Sequence, residues 1–118
     1  MITEKEIEQA YEELIKKQHD YNGMSEGATE AKKHYETLTV QSLILLDVDG
    51  KKLNQGKNPT EREAIAQELY PAQYQEYLLL DEGLRYSKYA LDIARIKVEE
   101  LRLKMRLMEV LKGETDQG

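Results

Sequence analysis

From Pro71 to Lys112 the chain contains no further proline and a single glycine, Gly83, and this stretch constrains the fold more than any other. Prolines and glycines are what usually end helices, so their absence over so long a run predicts one helix from about 71 to 112, with Asp81-Glu82-Gly83 as the place where it could break. Unbroken, such a helix would span roughly 60 Å. A compact domain of this size has a radius of gyration of about 13 Å. The helix must therefore be covered by long partner helices or by a second subunit, or be interrupted.

Its apolar residues fall on two stripes. With Leu84 as position a of a heptad, Tyr77, Leu80, Leu84, Ser87, Leu91, Ala94, Val98, Leu101, Met105 and Met108 occupy successive a and d sites, a pattern of coiled-coil character. A second set, Tyr86, Tyr89, Ile93, Ile96, Glu100, Leu103, Leu107 and Val110, falls on c and f. At about 100° per residue the two stripes lie nearly opposite each other. One can be filled by the rest of the chain. The other is expected to be an oligomer or partner interface formed by Tyr86, Tyr89, Ile93, Ile96, Leu103, Leu107 and Val110, the alternative being that a short helix at 59 to 69 or the loop at 47 to 58 folds over it. The alternation in LRLKMRLM also suits a strand, but a run without breakers favours helix.

Upstream, Thr3 and Glu6 have the spacing of a capping box, and Ile7, Ala10, Tyr11, Leu14 and Ile15 recur at helical intervals, which predicts a first helix to about residue 20. Two glycines in DYNGMSEGATEA predict a loop or break at 21 to 27. A second helix is expected from about 28 to 46 through Ala31, Tyr35, Leu38, Ser42 and Leu45. The β-branched and aliphatic run TLTVQSLILLDV followed by Asp49-Gly50 leaves open a short β-hairpin near 38 to 55 instead. In GKNPTERE, Asn58 reads as an N-cap, Pro59 as the first helical residue and Glu61 as the reciprocating carboxylate, so a third helix should run from 59 to about 69 until Pro71 ends it or starts the next. The expected fold is an all-α small helical bundle, a single domain over 1 to 112 with a disordered tail at 113 to 118.

Composition narrows the function classes. The chain has no cysteine, Phe or Trp, its aromatic residues are eight tyrosines, and charged residues make up 34%. Without cysteine there is no disulfide frame, thiolate nucleophile or thiolate metal ligand. An acidic start, MITEKEIEQAYEEL, differs from a signal peptide, and no apolar run approaches a membrane span, so a cytoplasmic protein without membrane contact is expected. The net charge of −6 argues against strong DNA binding. Basic residues do collect between 85 and 106, where Arg85, Lys88, Arg95, Lys97, Arg102, Lys104 and Arg106 are expected to pair with acidic neighbours in the bundle.

Catalytic and metal sites fail on spacing. Aligning Gly50 of LDVDGKKLNQGK with the glycine of a calcium loop puts Leu45 and Gly56 at ligand positions. His19 and His34 are too far apart in sequence for a paired motif, and no carboxylate sits in an apolar setting suited to acid-base work. No enzyme activity, metal or cofactor is expected. The local segment that looks specific is GKNPTERE: a left-handed glycine and a capped helix start account for Gly56, Asn58, Pro59 and Glu61, leaving Lys57 and Arg62 unexplained. Lys57, Asn58 and Arg62 are accordingly taken as a partner-binding loop.

A "GKN..R" loop leading into a short helix, then a long helix ending in IARIKVEELRLKMRLMEVL, resembles small helical proteins encoded in phages and prophages, over roughly the C-terminal half. That resemblance implies the cytoplasm of a host cell, where small acidic proteins often bind host or defence proteins. Two function classes follow. One is a self-associating interaction module, a dimer or higher oligomer, that inhibits or modulates a host or defence factor, in the manner of an anti-CRISPR inhibitor. The other is an accessory to phage recombination or replication that handles single-stranded DNA, with Tyr74, Tyr77, Tyr86 and Tyr89 as stacking residues.

Overall fold

The long C-terminal helix does not break at Gly83. A computed structural model describes residues 2–117, with side chains through residue 113. It contains three helices, α1 Glu4–Ser42, α2 Pro59–Leu69 and α3 Pro71–Gln117, and no strand among the described residues. The fold is all-α. Helical backbone in α3 continues past Lys112, the expected boundary, to Gln117.

The expected break at 21 to 27 is also absent, because the two predicted helices at its sides are one helix, α1, of 39 residues. Gly23 and Gly27 both lie inside it, and a Cβ at either would meet nothing within 4 Å, so neither is there for a close approach. Each costs the helix about 1 kcal/mol relative to alanine. Burial of Ala10 before them and of Ala28 and Tyr35 after them outweighs that penalty, so tertiary packing overrides the local signal. At the start of α1 the Thr3 hydroxyl accepts the Glu6 N–H at 3.2 Å, as the capping spacing predicts.

The chain forms two compact units that share α1 and α3: Met1–Gly23 with Arg85–Gly118, and Met24–Leu84. In the first, the two helices run antiparallel, since Tyr11 meets Arg102 and Gln18 meets Arg95. Ala10, Val98 and Leu101 form the core there, with Ile2, Tyr11 and Leu14 packed against it. Leu91 and Ala94 are buried as well, so the a/d stripe of α3 is its inner face as far as Leu101, whereas Met105 and Met108, expected to continue it, are exposed. Ile15, expected on the inner face of α1, is exposed instead. Two of the basic residues of α3 find the acidic neighbours expected for them, and find them on their own helix. Arg95 and Arg102 pair with Asp92 and Glu99 on their own helix and donate across to neutral groups on α1, the Gln18 amide oxygen at 3.1 Å and the Tyr11 hydroxyl at 2.8 Å.

In the second unit, Tyr35 of α1 is buried against Tyr74 and Tyr77 of α3, with ring centroids 5.4 and 5.9 Å away. The Met24 methyl sits directly over Gly83, which leaves no room for a side chain there unless that methyl moves. Ala66 of α2 is fully buried. Tyr70 caps α2 through its N–H to the Ala66 carbonyl at 2.9 Å, and Pro71 opens α3, so the proline both ends one helix and begins the next.

Between α1 and α2 the hairpin expected as an alternative reduces to a turn closed by a single antiparallel bridge, Leu46 to Lys52. The Gly50 N–H bonds to the Asp47 carbonyl and the Asp47 N–H to the Lys51 carbonyl, with Gly50 at φ 78°. This is a type I turn closed by a left-handed glycine. The Asp47 carboxylate accepts the N–H groups of Asp49 and Lys51 at 2.8 and 2.9 Å, which fixes the turn. α1 stops at Ser42 instead of continuing to 46 because Ser42 turns its polar groups to the loop. Its carbonyl accepts the Asn54 N–H at 3.0 Å and its hydroxyl, fully buried, accepts the Asn54 side-chain amide at 3.3 Å.

Candidate functional site

The c/f stripe of α3 is left uncovered by its own chain. Tyr86, Tyr89, Ile93, Ile96, Leu103, Leu107 and Val110 are between 50% and 73% exposed. Their neighbours at a and d explain why. With Leu91, Ala94, Val98 and Leu101 turned inward against α1, heptad geometry sends c and f outward. Soluble proteins rarely leave a contiguous apolar patch of more than a few hundred Å2 in water without using it. Glu100 is the one polar residue interrupting the stripe, and it too is exposed.

The GKNPTERE loop is organised by a residue the sequence does not mark. Asn54 is 2% exposed; its amide donates to the Arg62 carbonyl at 2.8 Å as well as to Ser42, and its side-chain oxygen accepts the Gly56 N–H at 3.1 Å. One buried amide thus joins the end of α1, the loop and the first turn of α2. The cap forms as the spacing predicts, with Asn58 accepting the Glu61 N–H at 2.9 Å. Glu61 reciprocates one residue earlier than a standard capping box, on the Lys57 N–H at 2.8 Å. Gly56 is not in the left-handed region expected for it. It is glycine because a Cβ would lie 2.6 Å from the Arg62 backbone nitrogen.

Arg62 acquires a structural role as well, since its Nε donates to the Gly56 carbonyl at 3.0 Å. Its guanidinium stands with Lys51 and Lys52 around an open cavity of about 670 Å3. Lys57 and Asn58 are exposed beside it. The loop residues belong to one unit and the α3 stripe to the other.

A third surface was not legible from the sequence. Val40, Ile44, Leu45, Leu46 and Val48 are all exposed around the turn, where a helix to 46 would have turned some of them inward. Below them, α1, α2 and Tyr77 enclose a groove of about 500 Å3 floored by Tyr35, Thr39 and Leu43. The Tyr35 hydroxyl is buried without a hydrogen-bond partner, and burial, with a contribution from Glu63, holds its pKa above the ordinary 10.0 against the opposing effect of Thr39. Tyr74 and Tyr77 pack on Tyr35 and are half-buried, which leaves Tyr86 and Tyr89 as the freely exposed members of the tyrosine set considered for base stacking.

Among the described residues no group of three His, Asp or Glu side chains is placed to hold a metal ion, and no helix is long and apolar enough to cross a membrane. Comparison with protein-family models, with curated proteins and with solved structures yields no match, so no relative bears on the resemblance to phage proteins.

Proposed function

We propose that the chain is a non-enzymatic protein interaction module that self-associates through the c/f stripe of α3 and acts by occupying another macromolecule as an inhibitor or modulator, not by transforming a substrate. The observation that supports this reading is the exposure of seven large apolar side chains in register from Tyr86 to Val110, on the face of a helix whose opposite face is already used. A second helix with the same spacing is the natural cover, because knobs at c and f need holes of matching period.

Light scattering coupled to size exclusion tests it. The wild-type chain should elute as a dimer or larger assembly at tens of micromolar. Ile96→Glu combined with Leu103→Glu should give a smaller species with unchanged helical circular dichroism, since both side chains are exposed. A wild-type monomer throughout the accessible concentration range would end the reading.

A further inference from the structure

Charge on the edges of the α3 stripe specifies the orientation of the pairing. We infer that two copies meet along the c/f stripe in parallel and in register, with Asp92 facing Lys97 of the second copy and Glu99 facing Lys104; this rests on the stripe being a self-association face. The sites flanking a c/f seam are b, just before each c, and g, just after each f. In α3 the b sites hold Arg85, Asp92, Glu99 and Arg106, and the g sites hold Ala90, Lys97, Lys104 and Leu111.

In a parallel pair, each b residue faces the g residue five positions on in the other helix, and such flanking charges set orientation. The contacts are then Arg85 with Ala90, Asp92 with Lys97, Glu99 with Lys104 and Arg106 with Leu111. Every charged contact between these flanking sites is between opposite signs, each occurring twice by symmetry. An antiparallel pair sets b against b and g against g. In the register of greatest overlap, centred on residue 98, it brings Glu99 toward Glu99 and Lys97 toward Lys97, once each, against the favourable pairing of Asp92 with Arg106, which occurs twice, so its flanking charges cancel where those of the parallel pair all attract.

The participating groups are available. Asp92 and Glu99 side chains are 50% and 66% exposed, and the Arg95 and Arg102 partners on their own helix are surface pairs of small worth. Lys97 and Lys104 are exposed, with no hydrogen bond or ion pair among the described residues. Glu100 is the cost of this arrangement. At a c site in a parallel seam it faces its own counterpart, so it limits the strength of association. In the antiparallel register it would face Ile96 beside Lys97, where a negative charge is favourable.

Because the chain has no cysteine, one engineered thiol reports the orientation cleanly. Ile93→Cys alone should form a disulfide-linked dimer under mild oxidation, since residue 93 faces itself in the parallel seam. Glu100→Gln should tighten association about five- to tenfold, the relief of one like-charge contact near a surface. Lys97→Glu with Lys104→Glu should loosen it, and adding Asp92→Lys and Glu99→Lys should restore it. A non-covalent dimer that crosslinks only when Ile93→Cys is mixed with Leu103→Cys, or that Glu100→Gln weakens, would overturn the parallel arrangement and leave the self-association reading standing. A monomer at every concentration would remove both.

Discussion

The two units expose apolar side chains for different reasons. In α3 the exposed residues Tyr86 to Val110 repeat every three or four positions on one regular helix, whose inner face is fixed by Leu91, Ala94, Val98 and Leu101. Around residues 40 to 48, Val40, Ile44, Leu45, Leu46 and Val48 are exposed because α1 ends at Ser42 and the chain turns. The first exposure follows from periodicity alone. The second follows from a single long-range contact, Asn54 to Ser42 and Arg62, which decides where the helix stops. A repeating pattern declares a face, whereas an aliphatic run beside a loop is placed by whichever polar group anchors the loop.

The largest effect that could break this contrast is at the anchor. Asn54→Ala leaves the Arg62 carbonyl and the Gly56 N–H without their partner and should cost about 3 kcal/mol in urea denaturation. Leu103→Ala on the exposed stripe, measured at a concentration where the chain is monomeric, should cost less than about 0.5 kcal/mol. If both substitutions cost the same, the loop is not held by Asn54 as described.

Next in size is the cap. Asn58→Ala should lose about 1 kcal/mol through the missing acceptor for the Glu61 N–H, while Lys57→Ala should leave the melting temperature unchanged, because it is the Lys57 backbone that bonds Glu61. Tyr35→Phe should be stabilising by about 1 kcal/mol at neutral pH, since the hydroxyl it removes is buried without a partner. The same group gives a pH signature. Burial raises the Tyr35 pKa above the 10.0 of an unfolded tyrosine, so its contribution is intact below pH 10.0 and is lost as pH rises from there through the folded value. Tyr35→Phe should reduce that alkaline loss in a series of melting curves.

The smallest effect concerns the middle of α1. Gly27→Ala has open space around the added methyl and should raise stability by about 0.5 to 1 kcal/mol, as at any helix interior. Destabilisation there would mean that the glycine serves a bend the helix needs.

Much of this architecture was written in local sequence. The cap at Asn58, the helix boundary at Pro71, the a/d face of α3 and the cap at Thr3 all depend on neighbours within one or two turns, and each appears where the spacing places it. The misread elements depend on distant contacts. Gly23 and Gly27 carry a local break signal that packing on both sides overrides, and the TLTVQSLILLDV run has strand propensity but no partner strand beyond the Leu46 to Lys52 bridge. Of the candidate surfaces, the α3 stripe was legible as a face. Asn54 was not, because an asparagine in a loop looks the same in sequence whether it is solvated or is the one buried amide joining two helices. Nor was the role of Arg62, which depends on the approach of Gly56.

The proposed pairing uses α3 and not the apolar turn at 40 to 48. Methyl NMR on dilution from hundreds of micromolar to a few micromolar tests it directly, because Ile, Leu and Val report both regions in one sample. The resonances of Ile93, Ile96, Leu103 and Leu107 should shift or broaden with concentration while those of Ile44, Leu45, Leu46 and Val48 stay fixed. Movement confined to the turn residues, or no movement in either set, would contradict the account.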